Sequence, residues 1–337
     1  MDAERIAPAG GGAPASRLRR ARDAVLTAAA RSLLALVSVI PGRWTRALAA
    51  PAGGFLYVAA RRRRLIALRN LDIAFRSALS PPEKRRIARA SFTNLVLTAA
   101  GLARRGARGA AGGDFAIAAE DEALLLAPHP EGLAILSAHA GDWEMLHHYL
   151  NFRGLDVTAI VRGLSSGGAD RLLARLRSSA GGRVVSKRGA LSEMRETLRR
   201  GGVVGLIADQ NCPDRERFFD FFGVPASTYT AHARILARSR ARVLFVACLR
   251  EGRGATFRIT VKDIGSGLPR RRGSDRAAEI ALASDEIVRR YLAAVEEIAG
   301  REPGQYLWMH RRWKSRPTGA PWLYHDLGCP LDPALLG

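Results

Sequence analysis

The spacing of apolar and polar positions changes along the chain. Up to about residue 105 the apolar residues recur with helical periods. AVLTAAARSLLALVSVI (24–40) is shorter than the roughly 20 residues of a spanning helix. Thr27, Arg31 and Ser38 share one stripe of it, as in a helix that lies along an interface. After Pro41-Gly42 a second apolar piece, ALAAPAGGFLYVAA (47–60), ends in RRRR (61–64). Helical spacing continues over 65–105, with a helix-start signal in Ser80-Pro81-Pro82-Glu83, and GARGAAGGD (106–114) reads as a Gly-rich connection. From residue 133 short apolar runs alternate with helical stretches. LAILSAH (133–139), VTAIV (157–161), RVVS (183–186), VVGLIAD (203–209), RVLFVACL (242–249) and ATFRITV (255–261) predict strands. MLHHYLNF, GADRLLARLRSSAG, GALSEMRETLRRGG, TYTAHARILARSR and the 274–299 stretch predict helices. Near-continuous apolar strands separated by helices imply an α/β fold, a mostly parallel central sheet flanked by helices.

The expected organisation has four parts. Residues 1–16 are Gly/Pro/Ala-rich and read as disordered; 17–64 form a helical membrane-associated anchor; 65–317 form the α/β domain; 318–337 form a tail. Arginine clusters around two short apolar helices favour anionic headgroups on a cytoplasmic membrane face. The alternative for 17–64 is a helical hairpin packed on the domain's own core.

Composition sharpens this picture. Lys+Arg 53 against Asp+Glu 31 gives +22, a balance that calls for an anionic partner: nucleic acid, an acidic membrane or a phosphorylated substrate. Lysine occurs only as Lys84, Lys187, Lys262 and Lys314, so arginine carries nearly all the charge, and genomic base composition is the duller explanation. Cys212, Cys248 and Cys329 lack metal-ligand or disulfide-framework spacing.

Candidate chemistry centres on SAHAGDWEML. In open α/β sheets ligands sit beyond the carboxyl ends of strands, and His139 ends an apolar strand there. Asp142 is an expected N-cap, and Glu144 falls in the first turn of the following helix. A carboxylate that holds one imidazole nitrogen as N–H leaves the other free to take a proton. Such a pair suits acyl transfer to a hydroxyl; the plainer reading is a histidine and a carboxylate at a helix start. No H-E-x-x-H string accompanies His147 and His148, so no metal is expected. Arg162, Lys187 and Arg188 follow strands and add charge at the same edge, where Asp209 and Gln210 also fall.

These residues resemble a known family. HAGDWE is similar to the H-x-G-N-W-E string of the bacterial lipid A late acyltransferases, within the lysophospholipid acyltransferase superfamily, marked by a His followed at five residues by Asp or Glu. RRRRLIALRNLDIAF with SPPEKRRI, KRGALSEMRETLRRGGVVGLIADQN with FFDFFGVPASTYTAHARILARSRARVLFV, and QYLWMHRRWKSRP resemble further blocks of that family, together covering roughly 20–317. Asp142, where the family has Asn, adds a second carboxylate beside the base.

The resemblance implies an O-acyltransferase at the cytoplasmic face of a bacterial inner membrane. Its donor is expected to be acyl carrier protein (or acyl-CoA), its acceptor a lipid A precursor, and it needs no metal, nucleotide or redox cofactor. His139 is then the base and Glu144 its orienting partner. Arg162 is the phosphate-contacting arginine or a solvated strand-end one, and Asp209 and Gln210 shape the acceptor pocket or form a structural turn. Phe218, Phe219, Phe221 and Phe222 line an acyl channel or fill the core. Arg311, Arg312 and Lys314 face the membrane or carrier protein, while Trp308 and Trp313 pack. Two rivals remain: an acyl-CoA-dependent enzyme on another glycolipid such as a phosphatidylinositol mannoside, and an inactive basic protein binding membrane or nucleic acid. The main reading expects no nucleic acid.

Overall fold

A computed structural model describes residues 17–108, 114–161, 167–178, 181–185, 189–213, 217–252, 256–268, 276–329 and 331. Residues 1–16 lie outside the described residues, and with them the expected disordered N-terminus.

Four helices come first: α1 (Arg17–Val39), α2 (Gly42–Ala59), α3 (Arg61–Phe75) and α4 (Pro81–Arg108). The Ser80 signal starts α4 as its sequence indicates. Glu83 Oε2 accepts from the Ser80 backbone N–H and hydroxyl at 2.8 and 2.6 Å, satisfying donors at the helix entry. Next come β1 (Asp114–Ile117), α5 (Ala119–Leu126), β2 (Leu133–Ser137), α6 (Trp143–Phe152), β3 (Val157–Ile160), α7 (Gly167–Ser178), β4 (Arg183–Val185), α8 (Ala190–Arg199) and β5 (Val203–Ile207). The chain closes with β6 (Phe218–Phe221), β7 (Val224–Ser227), α9 (Ala231–Arg238), β8 (Arg242–Arg250), β9 (Thr256–Asp263) and α10 (Arg276–Arg301).

Seven strands form one sheet in the order β1-β9-β8-β2-β5-β3-β4. β8, β2, β5, β3 and β4 run parallel, whereas β9 is antiparallel to β8 and carries β1 parallel to itself. The mostly parallel sheet is therefore as expected, with a reversed edge. Period-two geometry sends successive side chains to opposite faces. Ala134 and Leu136 of β2 join the core on one face, and Leu133 and Ile135 join the core on the other. β8 divides likewise, Val243, Phe245 and Ala247 against Leu244, Val246 and Cys248. Burial on both faces is why these strands read as unbroken apolar runs.

Three elements go beyond the sequence reading. β1 and α5 fill the stretch before residue 133, and the phenylalanine run forms a hairpin. Phe222 and Gly223 make its two-residue turn with φ +53° and +68°, the backbone a tight hairpin needs.

α2 docks on α4 through Ala49, Gly53 and Tyr57, a narrow stripe at helical spacing. A Cβ on Gly53 would lie 2.5 Å from Thr93, so this approach requires glycine. Tyr57 meets Phe92 edge-on, their ring centres 5.7 Å apart. The rest of α2 faces outward: Trp44, Leu48, Phe55 and Val58 are exposed, as are Val25, Leu36 and Val39 of α1. No described helix is long and apolar enough to cross a membrane.

Candidate active site

The register of two neighbouring strands builds the site. Ser137, the last residue of β2, stands opposite Ile207, the last of β5. Two residues farther along each strand come His139 and Asp209. The connections leaving β2 and β5 run in opposite directions along the sheet, toward β3 and β8, the switch in strand order at which such sheets open a crevice. Tyr291 of α10 ties the two strand ends together. Its hydroxyl donates to the Ser137 carbonyl at 2.8 Å and accepts from the Ala208 N–H at 3.1 Å.

Asp209 grips His139 twice. Its Oδ2 accepts from the His139 backbone N–H at 2.8 Å, and its Oδ1 lies 2.6 Å from Nδ1. With Nδ1 as the N–H, Nε2 keeps its lone pair, and the Gln210 side-chain nitrogen lies 3.5 Å from it. Burial by itself would depress the His139 pKa. The Asp209 charge and hydrogen bond, aided by the Glu144 charge, outweigh it and raise the imidazole above its ordinary value. Burial would raise the Asp209 carboxyl, but His139 and the Arg312 charge hold it below the usual range.

The sequence reading pairs His139 with Glu144, and the structure gives each a different hydrogen-bond partner. Arg177 of α7 binds both Glu144 oxygens, Nε at 2.9 Å and Nη2 at 2.5 Å, and the Trp143 indole N–H adds a bond at 3.2 Å. Glu144 stands on α6, after the turn that ends the His139 loop, whereas Asp209 stands beside His139 by strand register. Burial would raise the Glu144 carboxyl, and the Arg177 fork holds it below its ordinary value.

Asp142 caps α6 as expected, its Oδ1 accepting from the Met145 N–H at 3.0 Å. Its other oxygen pairs with Arg250, so this carboxylate works in the scaffold rather than in the cleft. Gly141 precedes it with φ +61°, and a Cβ there would sit 2.0 Å from the Cys248 carbonyl oxygen, which excludes any other residue. Arg162, Lys187 and Arg188 lie outside the described residues.

A small cleft opens beside the pair, lined by Asn70, His139, Gln210, Phe221, Trp308 and His310 among others. Its far wall is the C-terminal block, which pairs with the His139 loop. The Leu307 N–H donates to the His139 carbonyl at 2.9 Å, and the Gly141 N–H to the Gln305 carbonyl at 3.0 Å. Asn70 of α3 donates to the Trp308 and His310 carbonyls, both at 2.6 Å. Arg69 binds the Leu323 carbonyl at 2.8 Å and those of Asp326 and Cys329 at 3.1 Å, so the arginine-and-NL string on α3 is a staple for the chain end.

Trp308 and Trp313 are buried, and so is Arg312, which corrects the expectation that it faces a membrane or carrier protein. Its guanidinium donates to the Ser227 carbonyl at 2.6 Å and to Thr228 Oγ1 at 2.7 Å, and its charge acts on Asp209. Tyr306, from the same segment, lines the cleft together with Asp209. The sequence reading did not single out Tyr306 or His310 for the site. The signal was a histidine and arginines among aromatics, which also describes a surface patch. Among the described residues no group of His, Cys, Asp and Glu gathers as a metal site would require.

Comparison with known proteins adds three findings. The model of a family described as bacterial lipid A biosynthesis acyltransferase matches residues 15–315. A lipid A biosynthesis palmitoleoyltransferase of Escherichia coli (strain K12) is 30% identical over 129 residues, 38% of this chain and 38% of that protein. A lipid A biosynthesis acyltransferase of Shigella flexneri aligns with the same identity and coverage. The chain thus spans well under half the length of these curated relatives.

Proposed function

Since the chain belongs to the bacterial lipid A biosynthesis acyltransferase family, we propose that it moves a fatty acyl chain from an acyl thioester, carried by acyl carrier protein, to a hydroxyl of a lipid A precursor. What carries this reading is the His139–Asp209 pair at the carboxyl edge of the sheet, opening on a cleft walled by Phe221, Leu307 and Trp308.

His139 Nε2 takes the proton from the acceptor hydroxyl, and Asp209 holds the opposite nitrogen as N–H and steadies the imidazolium that forms. General-base catalysis of this kind contributes about 10²–10⁴-fold. The alcohol oxygen attacks the thioester carbon, the tetrahedral intermediate collapses, and the thiolate leaves with the proton returned from His139. Glu144, locked to Arg177, contributes negative charge beside the base. Arg162, Lys187 and Arg188 keep the proposed task of meeting acceptor phosphates, for which an arginine fork is suited. Gln210 borders the reacting atoms.

The exposed apolar faces of α1 and α2 adjoin exposed Arg43, Arg46, Arg61, Arg62 and Arg63. We assign this surface to the cytoplasmic leaflet of the inner membrane, as an interfacial rather than a spanning attachment.

Replacing His139 by Ala tests the reading: transfer from acyl carrier protein to the precursor should vanish while partition into anionic vesicles persists. Unchanged transfer would refute the base assignment. Mass spectrometry of lipid A from a deletion strain should show one secondary acyl chain missing; an intact lipid A would redirect the search to another glycolipid acceptor.

A further inference from the structure

We propose that His310 is a second catalytic histidine, a neutral hydrogen-bond donor that presents Nδ1–H to the thioester oxygen as it becomes negative. The inference rests on the acyl-transfer reading and assigns a role within it.

The tautomer follows from one bond. The Asn211 backbone N–H donates to His310 Nε2 at 3.1 Å, so Nε2 carries a lone pair and the proton of the neutral ring resides on Nδ1. Among the described residues Nδ1 has no hydrogen-bond partner, and His310 lines the same cleft as His139 and Gln210. Its backbone is fixed on both sides. Asn70 donates to the Trp308 and His310 carbonyls, Arg63 donates to the Met309 carbonyl at 3.2 Å, and the Tyr324 hydroxyl holds the Asn70 amide at 2.5 Å. The donor is therefore in place before substrate arrives, as electrostatic stabilisation of a developing charge requires.

The ring is also kept neutral. Burial is the main cause; the attraction of Asp209 opposes it, the charges of His139, Arg312 and Arg63 act with it, and together they bring the pKa to about 4. A neutral donor leaves the basicity of His139 intact, where a second imidazolium in the cleft would depress it. In the step itself the acceptor O–H proton passes to His139 Nε2 and the alcohol oxygen bonds to the carbonyl carbon. The carbonyl π pair moves onto oxygen, which accepts from His310 Nδ1–H and the Gln210 amide. Collapse restores the carbonyl, breaks the C–S bond and returns the proton from His139 to the departing thiolate.

The test uses the full chain with acyl carrier protein thioester and lipid A precursor. His310→Ala should lower kcat by about 10²–10³-fold with KM held within about threefold, as loss of one oxyanion donor does. His310→Gln, which keeps an N–H of similar reach, should recover part of the loss. A donor analogue with its carbonyl replaced by methylene should bind H310A and wild type with the same Kd, because the missing bond serves only the carbonyl oxygen. A kcat within about threefold of wild type in H310A, weakened analogue binding in step with kcat, or failure of both variants to fold would each overturn the proposal. If instead wild type and H139A transfer equally, or wild type transfers nothing, the acyl-transfer reading itself falls, a result separate from any difference at His310.

Discussion

Two regions of this molecule treat water in opposite ways. At the carboxyl edge of β2 and β5 the chain buries charge: Asp209 is 2% exposed, and Arg312 and Glu144 are also buried, each with oppositely charged or hydrogen-bonding partners. On α1 and α2 it exposes grease: Phe55 is 70% and Val58 64% accessible, beside arginines. Buried charges persist only when paired, so the first region is complete in itself. Exposed apolar faces of this extent, rimmed by cations, suit an apolar and anionic partner, which none of the described residues supplies. The difference separates chemistry from location, and each can be broken without the other.

The largest effect should come from Asp209→Asn. The fold keeps its hydrogen bond to the His139 backbone, but the imidazole loses both its preferred tautomer and the charge that supports the imidazolium. By analogy with the same change in a Ser-His-Asp triad, kcat should fall by about 10³–10⁴-fold. Partition to vesicles should not move. His139 must be neutral to act, and Asp209 raises its pKa, so the acidic limb of any residual pH–rate profile should shift to lower pH. Full activity in D209N would return the orienting role to Glu144.

The reverse change is Phe55→Glu with Val58→Glu. Each removes about 1.5–3 kcal/mol of apolar contact with lipid, so partition to anionic vesicles should fall by at least about 10²-fold. Turnover on detergent-dispersed substrates should stay within about twofold, because neither side chain reaches the cleft. Equal loss of turnover and partition would mean that the two regions are coupled.

Glu144→Gln lies between these. It removes one charge that raises the His139 pKa and leaves Arg177, which lowers it, uncompensated. The acidic limb should again move down, with kcat reduced by about tenfold, less than in D209N. A larger loss than in D209N would rank Glu144 as the principal partner.

The sequence made some of this legible and hid the rest for identifiable reasons. The parallel strands showed because burial on both faces leaves an apolar run, as in LAIL and VVGLI. β9, which lies between β1 and the antiparallel β8, alternates Phe257, Ile259 and Val261 with Arg258, Thr260 and Lys262, the pattern of a strand less covered on one face, but its place and direction were not read from it. His139 was visible at a strand end. Its hydrogen-bond partner was not, because nearness along the chain favoured Glu144 while pairing of β2 with β5 brings Asp209 alongside. That pairing depends on strand order, which spacing alone does not specify. Arg312 misled for the opposite reason: an arginine that ties down a buried loop is written like one that faces water.

The smallest effect tests whether the polar groups under the sheet edge are all matched. His232 of α9, four residues after the Thr228 that binds Arg312, is buried, and its Nε2 has no hydrogen-bond partner among the described residues. Burial lowers its pKa to about 4 from 6.5. The unfolded chain therefore takes up this proton at a higher pH than the folded chain, so the stability is full above about pH 6.5 and declines as pH falls toward 4. The decline amounts to about 3 kcal/mol by pH 4, at 1.36 kcal/mol per unit. His139 has the opposite sign: its raised pKa contributes fully below 6.5 and fades only as pH rises through its folded value, so it does not mask the acid side. Denaturant midpoints measured from pH 7 down to 4.5 should fall less steeply in His232→Gln than in wild type, whatever the two stabilities at pH 7. His310, with a pKa also near 4, keeps the remaining slope from vanishing. Equal slopes would mean that the imidazole of His232 reaches water, and that the sheet edge is less sealed than its paired charges imply.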